Sequence, residues 1–268
     1  MVGTVKVLER MWSPQLENNR PLLVYLPPSY EGSSRRYPVL YMHDGQNLFD
    51  RATSFAGEWQ VDETLEALAK EGIEAIVVGI PNMGRERMHE YSPFPDADHG
   101  GGRGDRYLAF LVETLKPRID QDFRTLPDRA NTGIMGSSMG GLISLYGFFR
   151  HPEVFGLAGV VSPSLWFAGQ AIFPYVLKAR HHPGRIYLDM GTYEGQRRPH
   201  PRWIPVVLGD TATAASRRMY YLLRLKGYQK QRSVLYVEEP GGMHNEAAWA
   251  RRLPGALRFL LKPGSSPL

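Results

Sequence analysis

Hydrophobic positions along the chain switch between short alternating or continuous runs and longer stretches spaced three and four apart. Met1–Arg10 alternates like a strand, Arg20–Leu26 predicts a second that stops at Pro27-Pro28, and Val39–His43 (VLYMH) predicts a buried third. Glu58–Lys70 has helical spacing and Ile73–Ile80 is a continuous apolar strand. The polar, glycine-rich stretch from Asn82 to Asp105 predicts a long surface loop, a candidate lid or substrate loop. Arg106–Phe123 predicts a helix, Thr132–Met135 a short strand, and Met139–Arg150 a helix ended by His151-Pro152. The alternation continues with strand Leu157–Val161, helix Trp166–Arg180 with Pro174 near its middle, and strand Arg185–Met190. A loop follows over Gly191–Leu208, then helix Thr211–Lys226, strand Ser233–Glu238 and helix Ala247–Leu261. Strands alternating with helices, without an internal repeat, predict an α/β protein with a mostly parallel sheet of about eight strands, covered by helices on both faces. The first two strands precede any helix and predict an antiparallel pair at one edge. Ligands of such a sheet sit at the C-terminal ends of its strands.

Composition narrows this picture. At 268 residues one large domain over 1–268 is expected, and 43% apolar with 22% charged residues fits a soluble globular chain. The absence of cysteine excludes a disulfide framework, a thiolate metal site and a cysteine nucleophile. The net charge of +5 comes from basic residues scattered in pairs such as Arg35-Arg36 and Arg251-Arg252. Without a charge run or a zinc-finger pattern, a solvated arginine-rich surface is expected, with no nucleic-acid partner. No apolar run approaches the length of a membrane span, and the N-terminus lacks the apolar core of a signal peptide, so a cytoplasmic location is expected.

The candidate chemistry centres on Gly136-Ser137-Ser138-Met139-Gly140, a G-x-S-x-G pattern between a predicted strand and a predicted apolar helix. At such a corner, small neighbours let the backbone take a strained angle that lifts a serine hydroxyl clear of the sheet. Ser138 then needs a base. Of the eight histidines, His244 follows the last predicted strand in Gly241-Gly242-Met243-His244-Asn245, where the glycines free the loop to turn back over the sheet edge. A carboxylate after the penultimate strand would orient the imidazole, and Glu194 in Gly191-Thr192-Tyr193-Glu194-Gly195 is the choice. Asp210, which also reads as a helix cap, is the runner-up, and Asp189 lies within the strand, where it is expected to face a helix or to pair with an arginine. The order Ser138, Glu194, His244 is the serine–acid–histidine order of the α/β-hydrolase fold.

These residues carry a resemblance. The chain from about Arg20 to Leu261 resembles the putative-esterase group of α/β-hydrolases, which includes siderophore (enterochelin) esterases, feruloyl and acetylxylan esterases, and mycolyltransferases. The resemblance rests on LVYLPPSY (Leu23–Tyr30), YMHDGQNLF (Tyr41–Phe49), Glu58-Trp59, GSSMGGL (Gly136–Leu142), VSPSLW (Val161–Trp166), Gly191–Glu194 and Gly241–His244. It implies Ser138 as nucleophile, His244 as base and Glu194 at the acid position, where family members more often carry Asp and some siderophore esterases work with Ser and His alone. It also implies oxyanion donors at the backbone N–H groups of Met139 and Gln46. Trp59 and Trp166 are candidate substrate walls or core residues. Arg85, Arg87 and Glu90-Tyr91 are candidates for substrate contact or for an internal Arg–Glu brace. The expected function is carboxylic-ester hydrolysis of a small molecule through an acyl-enzyme, with no metal or cofactor. An acyltransferase and a non-catalytic binding module are the alternatives.

Overall fold

The structure is a computed structural model that describes residues 1–55, 57–194 and 209–262, with side chains of 209–211 excepted. Eight strands form one sheet in the order β1-β2-β4-β3-β7-β8-β9-β10. These are β1 Thr4–Ser13, β2 Asn18–Leu26, β3 Val39–His43, β4 Ile76–Ile80, β7 Thr132–Ser137, β8 Leu157–Val161, β9 Arg185–Gly191 and β10 Val234–Glu239. β2 runs antiparallel to both β1 and β4, and every other neighbouring pair is parallel. The predicted antiparallel edge pair is therefore present, and the architecture is the α/β-hydrolase fold.

Why the central strands read as unbroken apolar runs is visible in their packing. Every residue of β3, β4, β7 and β8 is buried, because helices cover both faces and no side chain meets water. Alternate residues feed two separate cores. Val39 and Tyr41 of β3, Ile76 and Val78 of β4, and Ala158 and Val160 of β8 join the core under α5 (Met139–Arg150), α7 (Ile172–Lys178) and α8 (Gly209–Leu225). Leu40, Met42, Val77, Leu157 and Val161 join the opposite core under α1 (Val61–Ala69) and α9 (Glu246–Leu261). The period of two along each strand assigns the side.

Three predicted elements differ in detail. The stretch 82–105 carries a 3₁₀ turn at Gly84–Glu86, α2 at Arg87–Glu90, and a two-strand ribbon of β5 (Pro95–Asp96) with β6 (Gly100–Gly101). Glu90 is buried and held bidentately by buried Arg20 at 2.7 and 2.9 Å, so the segment is anchored rather than loose. The helix predicted over Arg106–Phe123 runs as α3 Gly104–Ala109, a π-helical stretch Phe110–Leu115, and α4 Lys116–Asp122. The wide turn falls just ahead of Pro117, which has no N–H to give to the helix. The helix predicted over Trp166–Arg180 breaks into α6 Phe167–Gln170 and α7, with left-handed backbone at Ala168 and Gly169. Pro174 then stands in the first turn of α7, where an N–H has no helical acceptor to lose.

Candidate active site

Ser138 stands between the end of β7 and the start of α5 with φ 58° and ψ −120°. That conformation costs a non-glycine residue about 1–3 kcal/mol, so the surroundings must hold it. They do so by backbone hydrogen bonds: Ser138 N–H donates to the Val161 carbonyl at 3.0 Å, and the Ser138 carbonyl accepts from Leu142 and Ser164. The close turn also dictates glycine at 136, since a Cβ there would lie 2.8 Å from His43 Cδ2.

The loop after β3 faces this corner. Asp44 has left-handed backbone (φ 54°) and opens the 3₁₀ turn Gly45–Asn47. Its carboxylate accepts two bonds from Arg87 (2.7 and 2.8 Å) and one from Asn82 Nδ2 (2.6 Å), while its N–H donates to Tyr91 Oη. Burial works against the Arg87 charge, but the Asp44 carboxylate more than offsets it and the Arg87 pKa stands above the ordinary arginine value. Gln46 Oε1 accepts from the Asn82 N–H, so the segment 82–91 pins this loop from outside. Gln46 and Met139 both fall in the first turn of their helices, whose N–H groups lack helical acceptors.

His43, at the end of β3, is buried, with Nδ1 2.7 Å from Tyr107 Oη and Nε2 without a partner. Burial pushes its pKa down to about 3, against a weak upward pull from Asp44. A folded-state value below the ordinary 6.5 means protons favour the unfolded chain. The stability owed to neutral His43 is whole above pH about 6.5 and falls as pH drops toward 3, by about 1.4 kcal/mol per unit. Denaturant unfolding of wild type and His43→Gln at pH 7 and pH 5 tests this. Wild type is expected to lose about 2 kcal/mol more than the variant over that interval; equal losses would place the acid sensitivity elsewhere.

Opposite the serine, Glu194 follows β9 and His244 follows β10. His244 Nδ1 lies 2.8 Å from Glu194 Oε2, and the imidazole packs edge-on against Trp249 at 5.1 Å. Glu194 is 2% exposed. Its other oxygen accepts from the Gly191 N–H (2.8 Å), the Ser162 hydroxyl (2.5 Å) and Arg252 Nη2 (3.4 Å). Arg252 also binds Asp189 and Glu239, and Trp249 Nε1 donates to Ser162 Oγ. Asp189 thus pairs with an arginine, as expected; burial pushes its pKa up to about 6 against the pull of Arg252, leaving it ionised at neutral pH. Removing one member of such a buried cluster leaves the rest unpaired, which is where its cost lies.

Ser138, His244 and Gln46 line one cleft of about 580 Å³, shared with Asp44, Phe55, Arg87, Glu246 and Trp249. Ser138 Oγ lies 3.1 Å from Ser164 Oγ, and among the described residues its hydroxyl has no hydrogen bond to His244. Such contacts often tighten only when substrate is bound. Three expected substrate contacts lie elsewhere. Trp59 is 3% exposed and packs on Trp249 at 5.6 Å, so it is a core residue under the histidine loop. Trp166 is half exposed but packs edge-on against His99 at 5.3 Å, and Arg85 lies in the Gly84–Glu86 turn; neither lines the cleft. The Arg–Glu brace exists with other partners: Arg103 holds Glu86 at 2.8 Å, Glu90 goes to Arg20, and Arg87 goes to Asp44. The side chain of Asp210 and all of His200 lie outside the described residues. Trp59→Ala is expected to cost about 3–5 kcal/mol of unfolding free energy, read by urea denaturation. A variant of wild-type stability with only a raised KM would return Trp59 to the cleft.

Sequence reasoning missed Arg252, Ser162, Trp249, Asn82 and Ser164. The VSPSLW motif covers Ser162 and Ser164; nothing local marks Arg252, which is 58 residues from the carboxylate it holds. Two groups, Asp96–Asp98–His99 and Glu58–Asp62–Glu63, bring ligand atoms within 4.8 Å of one another, and neither group lines this cleft. No helix of the described residues is long and apolar enough to cross a membrane.

A sequence profile described as putative esterase matches residues 13–260. An uncharacterized protein of Bacillus subtilis, YbbA, is 25% identical over 93% of this chain and 96% of its own. The ferri-bacillibactin esterase BesA of the same organism is 27% identical over 65% of this chain and 62% of its own. The crystal structure of the BES protein from Bacillus cereus superposes with a TM-score of 0.72 at 19% identity, covering 97% of this chain and 95% of that one. With the match running through β2, the Ser138 corner and the His244 loop, the chain belongs to the putative esterase family.

Proposed function

We propose that this protein hydrolyses carboxylic esters of small molecules by a serine mechanism. His244 takes the Ser138 proton as Oγ bonds to the ester carbon. The oxyanion rests on the Met139 and Gln46 N–H groups, each worth about 3–4 kcal/mol in a water-excluded site. The alcohol then leaves with the proton from His244, and water, activated by the same imidazole, cleaves the acyl-enzyme and restores Ser138. Glu194 keeps a proton on His244 Nδ1 and stabilises the imidazolium. One observation carries the reading: the 2.8 Å bond between His244 Nδ1 and a buried Glu194 carboxylate, at the rim of the cleft that holds Ser138. Relatives named as esterases support the reaction class, and a siderophore esterase among them makes iron-chelating esters a substrate class to include.

A fluorophosphonate probe followed by digestion and mass spectrometry tests the assignment. The label is expected on Ser138; a label elsewhere would take the nucleophile away from Ser138, and none on folded protein would remove the serine mechanism and leave a binding module. Product analysis with added alcohols separates hydrolysis from acyl transfer, because an acceptor that intercepts the acyl-enzyme yields a new ester instead of the acid.

A further inference from the structure

A second cavity, of about 510 Å³, opens at the opposite edge of the sheet, where β3, β7, β8 and β9 begin. β7 runs the width of the sheet between them, so roughly 17 Å of strand separates this cavity from Ser138. Its charge is lopsided. Arg35, Arg36, Arg129, Arg185 and Lys262 line it, against one carboxylate, Glu74. Glu74 is already engaged, accepting from Arg35 at 2.8 Å and from the Ser29 N–H and hydroxyl.

Two of the remaining cations are half-buried and differ from three arginines sheltered elsewhere in the fold. Arg20, Arg87 and Arg252 each grip a carboxylate, and their pKa values stand above the ordinary arginine value. Arg129 and Arg185 meet no carboxylate among the described residues. Arg129 donates to the carbonyls of Pro152, Phe155 and Pro183 and, at 3.1 Å, to His182 Nδ1. Among the described residues the Arg185 side chain donates only to the Lys262 carbonyl, at 3.0 Å. Burial pulls the pKa of both down; for Arg129, Tyr228 and Glu153 pull partly back, and for Arg185 no charge among the described residues does. A sheltered guanidinium without a counter-charge is unfavourable to hold, and its free N–H groups match oxyanion geometry. Tyr37, Leu126, Leu157 and Leu260 give the cavity apolar walls.

We propose that this cavity binds an organic phosphate, with the phosphoryl group between Arg36, Arg129 and Arg185 and a compact apolar body against Leu157 and Leu260. Four cations left over after the Arg35–Glu74 pair favour a dianion over a monocarboxylate, and the volume exceeds what bare phosphate fills.

Thermal unfolding at fixed ionic strength, with sodium chloride as balance, tests this using phenyl phosphate, inorganic phosphate and benzoate. Phenyl phosphate is expected to raise Tm saturably by about 3–6 °C, phosphate to do so at higher concentration, and benzoate least. Arg185→Gln should weaken the phenyl phosphate midpoint about tenfold or more, and Arg36→Gln, at an exposed position that disturbs the fold less, should act in the same direction. Hydrolysis of p-nitrophenyl acetate by both variants should match wild type, separating this cavity from the serine cleft. No Tm rise beyond that in chloride alone, or an equal rise in Arg36→Gln, would overturn the proposal.

Discussion

Ser138→Ala is expected to lower kcat on p-nitrophenyl acetate by up to about 10⁶-fold, to the level that binding and oxyanion donors sustain alone. Stability should change little by comparison. The positive φ at 138 is paid by backbone bonds to Val161, Leu142 and Ser164 that alanine keeps, and the lost Ser164 contact is a single hydroxyl pair, worth about 1 kcal/mol. Steady-state kinetics alongside urea unfolding reads both quantities. A variant that folds and keeps more than a tenth of wild-type kcat would show that the cleft works through some other group.

The second large effect is expected from Glu194→Gln, on the order of 10⁴-fold in kcat. The amide oxygen of glutamine can still accept from the Gly191 N–H, the Ser162 hydroxyl and Arg252, which hold the Oε1 position. Its NH₂ then faces His244 Nδ1, where the carboxylate oxygen now lies at 2.8 Å. A donor there demands an unprotonated Nδ1, which places the proton on Nε2 and removes the base that Ser138 needs. Arg252 keeps Asp189 and Glu239 as partners, so the cluster stays charged and the fold survives. Both this variant and Asp210→Asn are measured on one activated ester, at a pH well above the histidine range. Wild-type turnover in the first with collapse in the second would move the acid to Asp210, and wild-type turnover in both would leave a Ser138–His244 dyad.

The fold was written locally. Continuous apolar runs such as Val39–His43 and Leu157–Val161 specify strands buried on both faces, and two strands before the first helix specify the antiparallel edge. The order Ser138, Glu194, His244 was legible too, because each follows a strand end and strand ends of a parallel sheet gather on one edge. What local pattern left open was exposure. Trp59, a candidate for a substrate wall or for the core, packs on Trp249 from a helix 190 residues away in sequence. Glu90 and Arg87 sit in one segment but pair with Arg20 and Asp44 on other elements.

Sequence alone determined which residue types stand at which strand ends, because hydrophobic period and turn chemistry act over a few residues. Only the tertiary structure decided which charges meet. The cluster of Glu194, Asp189, Glu239 and Ser162 around Arg252 joins β9, β10, α9 and the loops after β8 and β9, and Arg129 and Arg185, which meet no carboxylate among the described residues, lie where strand starts converge. Ion pairing depends on distance and burial in space, and neither quantity is a function of spacing along the chain.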